Sequence, residues 1–108
     1  MTSLEKEYSI LKNQVGQTVG SSEWVTIDQE RINEFAKVTE DDQFIHLDQD
    51  QAKQFSPFGK TIAHGFLILS FASKFAIDVL PETSSKAVRI NYGFNKVRFL
   101  HPVFVGGS

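Results

Sequence analysis

Gly65-Phe66-Leu67-Ile68-Leu69-Ser70-Phe71-Ala72-Ser73-Lys74-Phe75-Ala76-Ile77-Asp78-Val79-Leu80 is the run on which the architecture turns. Apolar side chains fall on nearly every face of a helix drawn through it, and a helix apolar all round is a buried one. From Phe66 to Leu80, at roughly 1.5 Å per residue, it is about 22 Å long, too short for a bilayer with Lys74 and Asp78 inside it. It is therefore expected to be the core helix that a sheet wraps.

The flanking segments supply candidates for that sheet. Beyond the polar Glu82-Thr83-Ser84-Ser85 turn, Val88, Ile90, Tyr92 and Phe94 alternate with Arg89, Asn91, Gly93 and Asn95, the pattern of a half-buried strand. Val97 and Phe99 continue the apolar set on odd numbers. One extra residue near Asn95-Lys96 therefore predicts a bulge that bends the strand around the helix, and Pro102 closes it. Upstream, Trp24-Val25-Thr26-Ile27 reads as a short strand running into Asp28, a good N-cap, with Ile27 and Ile32 placed as a hydrophobic staple. Ile32, Phe35, Ala36 and Val38 recur at helical spacing, and that helix is expected to end near Thr39-Glu40. Asp48 with Gln51 signals a second, short helix through about Gln54, which Ser56-Pro57-Phe58-Gly59 breaks.

The fold class read from this is α+β, an antiparallel sheet around a long buried central helix, in a single domain over residues 1–108. One long strand and one short one cannot cover such a helix. Val103-Phe104-Val105-Gly106-Gly107-Ser108 looks like the approach to a further strand. The domain is thus expected to be incomplete after the second long strand, its remaining wall coming from more of the same protein or from another chain.

Composition removes several function classes. The chain has 108 residues and a formal charge of -2. Acids and bases are interspersed, without the polybasic stripe that tracks phosphates or anionic lipid, so neither nucleic acid nor membrane is an expected partner. The N-terminal Met1-Thr2-Ser3-Leu4-Glu5-Lys6-Glu7 lacks the apolar core of a secretory signal, and a cytoplasmic location is expected. The absence of cysteine excludes disulfides, thiolate metal sites and a cysteine nucleophile.

Chemistry concentrates in two short segments. Thr39-Glu40-Asp41-Asp42-Gln43-Phe44-Ile45-His46 places a carboxylate and an imidazole five residues apart, and Ile62-Ala63-His64-Gly65-Phe66 opens the apolar helix. Asp41 and His46 are candidates for a general acid/base pair, worth about 10²–10⁴-fold per proton transfer. The helix N-terminus at Gly65 offers free N–H groups to a developing oxyanion, and glycine permits close approach. Those parts suit addition of water to an activated double bond, or its removal. His64 is read chiefly as a structural residue whose ring bonds a loop carbonyl, and Ser73 as bonding a backbone carbonyl. Histidine and carboxylate are ordinary zinc ligands, but no His-x-x-x-His or similarly compact spacing occurs, and no metal is expected. Lys60, Arg89, Lys96 and Arg98 could meet phosphates, yet charges alternating with apolar residues are usually a solvent face.

These blocks, with Pro57-Phe58-Gly59, Ile90-Asn91-Tyr92-Gly93-Phe94 and Pro102-Val103-Phe104-Val105-Gly106, resemble the MaoC-like dehydratases. These are hotdog-fold proteins that include (R)-specific enoyl-CoA hydratases and a nodulation-protein-N-like branch. The resemblance implies that Asp41 and His46 hold and activate water, that the Gly65 amide polarises a thioester carbonyl, and that His64 and Ser73 lie at the substrate site. It implies an acyl-CoA or acyl-carrier-protein thioester as substrate, no cofactor beyond that thioester, and a homo-oligomer, a dimer or higher, with the site near the interface. Gln43 and Phe44 stand where the hydratases usually have Asn and Pro, which is closer to the nodulation-type branch. Two other functions fit the same residues: a hotdog thioesterase using a carboxylate and the helix terminus, and a non-catalytic subunit or interaction module.

Overall fold

The computed structural model describes residues 2–80 and 89–108. The Glu82-Thr83-Ser84-Ser85 turn and Val88, the expected start of the long strand, lie outside them. Among the described residues there are six helices: α1 (Ser3–Asn13), α2 (Gln29–Thr39), α3 (Phe44–Leu47), α4 (Gln49–Phe55), α5 (Gly65–Ser70) and α6 (Ala72–Val79). The chain divides into two compact units, Met1–Ser22 with Lys74–Val97, and Glu23–Ser73 with Arg98–Ser108.

In the first unit, α1 opens on a reciprocal cap. The Thr2 hydroxyl accepts from the Glu5 N–H, while the Glu5 carboxylate accepts from the Thr2 N–H. Sequence patterning had not marked this helix, and its Leu4, Tyr8, Ile10 and Leu11 are exposed. Elsewhere in the unit Gly20 lies against Val79, and Lys74 pairs with Asp78 one helical turn on.

The second unit holds the core. Ile27, Ile32, Ala63 and Leu67 form its buried centre, with Val25, Phe35, Leu47, Ile68, Phe71, Val103 and Val105 packed around them. The Asp28 carboxylate accepts the Arg31 N–H at 2.9 Å, which starts α2 where the cap signal put it. Ile32 and Ala36 then face inward, whereas Val38 points to solvent. Glu40 ends the helix in the left-handed conformation, φ 62°. Asp48 caps α4 through the Gln51 N–H, and Gly59, at φ 76°, takes the turn after Pro57.

The expected sheet is not formed among the described residues. Its trace is two isolated antiparallel bridges, Ile27 with Gly107 and Ile62 with Phe104. Through them residues 103–107 connect to both neighbours. The Ala63 N–H donates to the Val103 carbonyl, the Val105 N–H to the Thr61 carbonyl, and Ile27 exchanges bonds with Gly106 and Gly107. Ile90, Tyr92, Phe94, Phe99 and Leu100 are exposed and outside any ladder. Alternation specifies two faces but supplies no hydrogen-bonding partner, and a lone strand without a neighbour is not stable.

The long central helix is likewise interrupted. The Ser70 hydroxyl donates to the Phe66 carbonyl at 2.6 Å, a back-bond that bends helices. The Phe71 N–H then turns to the Ile68 carbonyl, so the last turn of α5 tightens and α6 starts afresh at Ala72. Of the two helices only Leu67 is buried, and Phe66 and Ile77 are exposed, which corrects the expectation of burial on every side.

Candidate active site

Local rules build the site from two directions. The left-handed Glu40 swings the chain out of α2, and the Asp41 N–H settles on the Thr39 hydroxyl at 3.4 Å. Five residues after Asp41, the short α3 turns His46 inward, to 7% exposure. From the other side the bridge to Val103–Val105 holds Thr61-Ile62-Ala63 extended and delivers His64, 2% exposed, to the start of α5.

There the two imidazoles stack, ring centres 3.8 Å apart and planes 23° apart, with Phe35 tilted against His64 at 4.9 Å. His46 Nδ1 lies 2.7 Å from the Ile62 carbonyl oxygen. A carbonyl only accepts, so Nδ1 carries the proton and Nε2 of the neutral ring is a lone pair. By the same logic His64 donates from Nε2 to the Asp41 carbonyl at 2.9 Å, and its buried Nδ1 has no hydrogen-bond partner among the described residues. Reactive atoms of Asp41, His46 and His64 all lie within 4.8 Å of one another.

Burial pushes the His46 imidazole below its ordinary value of 6.5, with His64 adding to that effect. The Ile62 carbonyl and the Asp41 charge oppose it. The net shift is downward and favours the neutral ring, whose lone pair lies at Nε2. The same three residues have the composition of a zinc site. One potential ligand atom from each lies within 4.8 Å of the other two.

The remaining candidates lie apart from this trio to different degrees. Gly65 follows His64 directly, and as the first residue of α5 its N–H has no acceptor within the helix. The Phe99 ring lies over it, so that a Cβ at position 65 would stand 2.6 Å from Phe99 Cδ2. Phe99 in turn meets Phe66 edge to face at 5.7 Å. Ser73 is exposed on α6.

Three polar residues beside the site carried no signal in the sequence. Gln29 Nε2 donates to the His46 carbonyl at 2.7 Å and to Asn33 Oδ1 at 2.9 Å. The hydroxyl of Thr61, wholly buried, donates to Gln29 Oε1 at 2.6 Å and accepts from Gln49 Nε2 at 2.7 Å. Gln49 Oε1 accepts the Thr61 N–H at 3.3 Å. In sequence these are a residue after a helix cap, a threonine and a surface glutamine, none of them distinctive.

The profile of the MaoC like domain matches residues 11–108. Nodulation protein N of Rhizobium meliloti is 47% identical over 102 residues, 94% of this chain and 63% of that protein. A 3-hydroxyacyl-thioester dehydratase Z of Mycobacterium tuberculosis is 48% identical over 91 residues, 84% of this chain and 59% of that protein. Protein MaoC of Klebsiella aerogenes is 31% identical over 83 residues, 23% of its own length. The chain belongs to the MaoC-like family. It spans about three fifths of the length of the first two of these relatives.

Proposed function

We propose that the protein hydrates an enoyl thioester, or dehydrates the 3-hydroxyacyl thioester, with Asp41 and His46 as the acid/base pair. The observation that carries this is the gathering of Asp41, His46 and His64 within 4.8 Å, with His46 Nε2 left as a lone pair. In the hydration direction Asp41 and His46 hold one water. Nε2 takes a proton from it as the oxygen bonds to the β-carbon, the double-bond electrons move onto the carbonyl oxygen, and a proton returns to the α-carbon as the carbonyl re-forms. Dehydration is the reverse. The Gly65 N–H is the donor proposed for the oxyanion, and His64 sets the floor on which His46 rests.

Two similarities support the reading: family membership, and the thioester dehydratase whose name states that chemistry. The substrate is proposed to be an acyl-CoA or acyl-carrier-protein thioester, the assembly a homo-oligomer, and the family's hotdog sheet the wall completing the site. Among the described residues no helix is long and apolar enough to cross a membrane.

The test uses crotonyl-CoA with the purified chain and with Asp41→Asn, following the conjugated enone and free thiol in parallel. Enone loss without thiol, abolished by the substitution, is the expected result. Thiol release would make it a thioesterase, and silence in both from folded protein would favour an interaction module.

A further inference from the structure

Gln29, Thr61 and Gln49 form a closed polar cluster whose connections lead to one residue. Gln29 uses both of its amide donors, on the His46 carbonyl and Asn33, and its oxygen accepts from Thr61 and, at 3.3 Å, from Gln49. The orientation of that amide is set by chemistry. Turning it over would place its oxygen against the His46 carbonyl, acceptor against acceptor. Thr61 is equally committed, donating to Gln29 and accepting from Gln49.

The next residue, Ile62, holds the other side of His46. Its N–H donates to the Ile45 carbonyl at 3.0 Å, and its carbonyl accepts from His46 Nδ1 at 2.7 Å. Two consecutive carbonyls, 45 and 46, and the ring itself are therefore held by Gln29 and by the segment that Thr61 anchors. Such redundancy exceeds what a four-residue helix needs. A part-buried network centred on the wholly buried Thr61, with its hydrogen bonds made, favours a single arrangement.

We infer that the Gln29–Thr61–Gln49 cluster is the positioning device of His46, locking its ring as the Nδ1–H tautomer with Nε2 presented as the base. Gln29 and Thr61 are positioning residues acting through the His46 backbone and the Ile62 carbonyl. The inference rests on the proposed acid/base role of His46 for its catalytic consequence, and on geometry alone for the tautomer.

The experiment measures the ring nitrogens of His46 by long-range ¹H–¹⁵N correlation in the full chain, together with crotonyl-CoA hydration, for wild type, Gln29→Met, Thr61→Val, Thr61→Ser and Gln49→Ala. Wild type should show a single Nδ1–H tautomer near neutral pH. Gln29→Met and Thr61→Val should mix the tautomers and lower kcat by about 10- to 100-fold with little change in KM, the scale of a small misplacement of a catalytic group. Thr61→Ser, which keeps the hydroxyl, should restore both readouts. Gln49 is exposed, so Gln49→Ala tests the cluster without burdening folding, and a partial shift of the tautomer ratio is expected. An unchanged single tautomer in folded Gln29→Met, or in Gln49→Ala should the former not fold, would overturn the inference. A wild-type chain inactive on crotonyl-CoA would count against the proposed reaction, while the tautomer readout still decides the positioning claim.

Discussion

His46 Nδ1 donates to the Ile62 carbonyl across 2.7 Å, so that a backbone group sixteen residues away selects which nitrogen of the ring is left basic. The bond runs between α3 and the segment entering α5. The orientation of His46 is thus coupled to the same piece of chain that carries His64 and Gly65 to the site.

Burial holds the His46 pKa below 6.5, which gives a signed pH dependence. Between the folded value and 6.5 the unfolded chain binds a proton that the folded chain does not. Stability therefore rises with pH across this window, is present in full above about 6.5, and is lost as pH falls. Urea midpoints measured from about pH 5 to 7.5 should climb in wild type and flatten in His46→Gln. Asp48 is also displaced downward, chiefly by the Gln51 N–H, but its window lies below 3.8 and does not overlap.

The ends of α2 are open to substitution in opposite directions. Glu40 sits at φ 62°, a conformation that costs a residue with a Cβ about 1–2 kcal/mol, part of which glycine returns as unfolded-state entropy. Glu40→Gly should stabilise by about 0.5–1 kcal/mol. Asp28→Ala, which removes the N-cap, should destabilise by about 1 kcal/mol. Denaturant titrations of both variants read these signs directly.

Gly65 is held to glycine by Phe99, whose ring would stand 2.6 Å from an added Cβ. Gly65→Ala should cost about 1–3 kcal/mol as the overpacked ring is displaced. Phe99→Leu should recover part of that loss, giving a favourable coupling in a double-mutant cycle. Strictly additive effects would show that the ring moves aside freely.

What could be read from the sequence follows the range of each interaction. Asp28 and Asp48 cap helices through bonds that span three residues, so α2 and α4 are written in their own segments. Asp41 and His46 stand out because they lie five residues apart, whereas His64, eighteen residues further on, is brought to them only by the fold. The alternation from Ile90 to Phe99 marked a surface suited to half burial, but a strand forms only against a partner that local pattern does not provide. Ser70 looked like one polar residue in an apolar run, whereas its back-bond to Phe66 interrupts the helix. Gln29 and Thr61 are 32 residues apart and each resembles a solvated side chain, so only the folded chain reveals that they meet.

The central claim is that Asp41 and His46 act as one unit, and the most direct test compares crotonyl-CoA hydration by wild type, Asp41→Asn, His46→Gln and the double variant, all checked for folding. Groups that act together are non-additive. Each single substitution should lower kcat/KM by about 10²–10⁴-fold, and the double variant should be no worse than the poorer single. A folded His46→Gln chain that retains wild-type hydration, or losses that simply multiply, would contradict the pair.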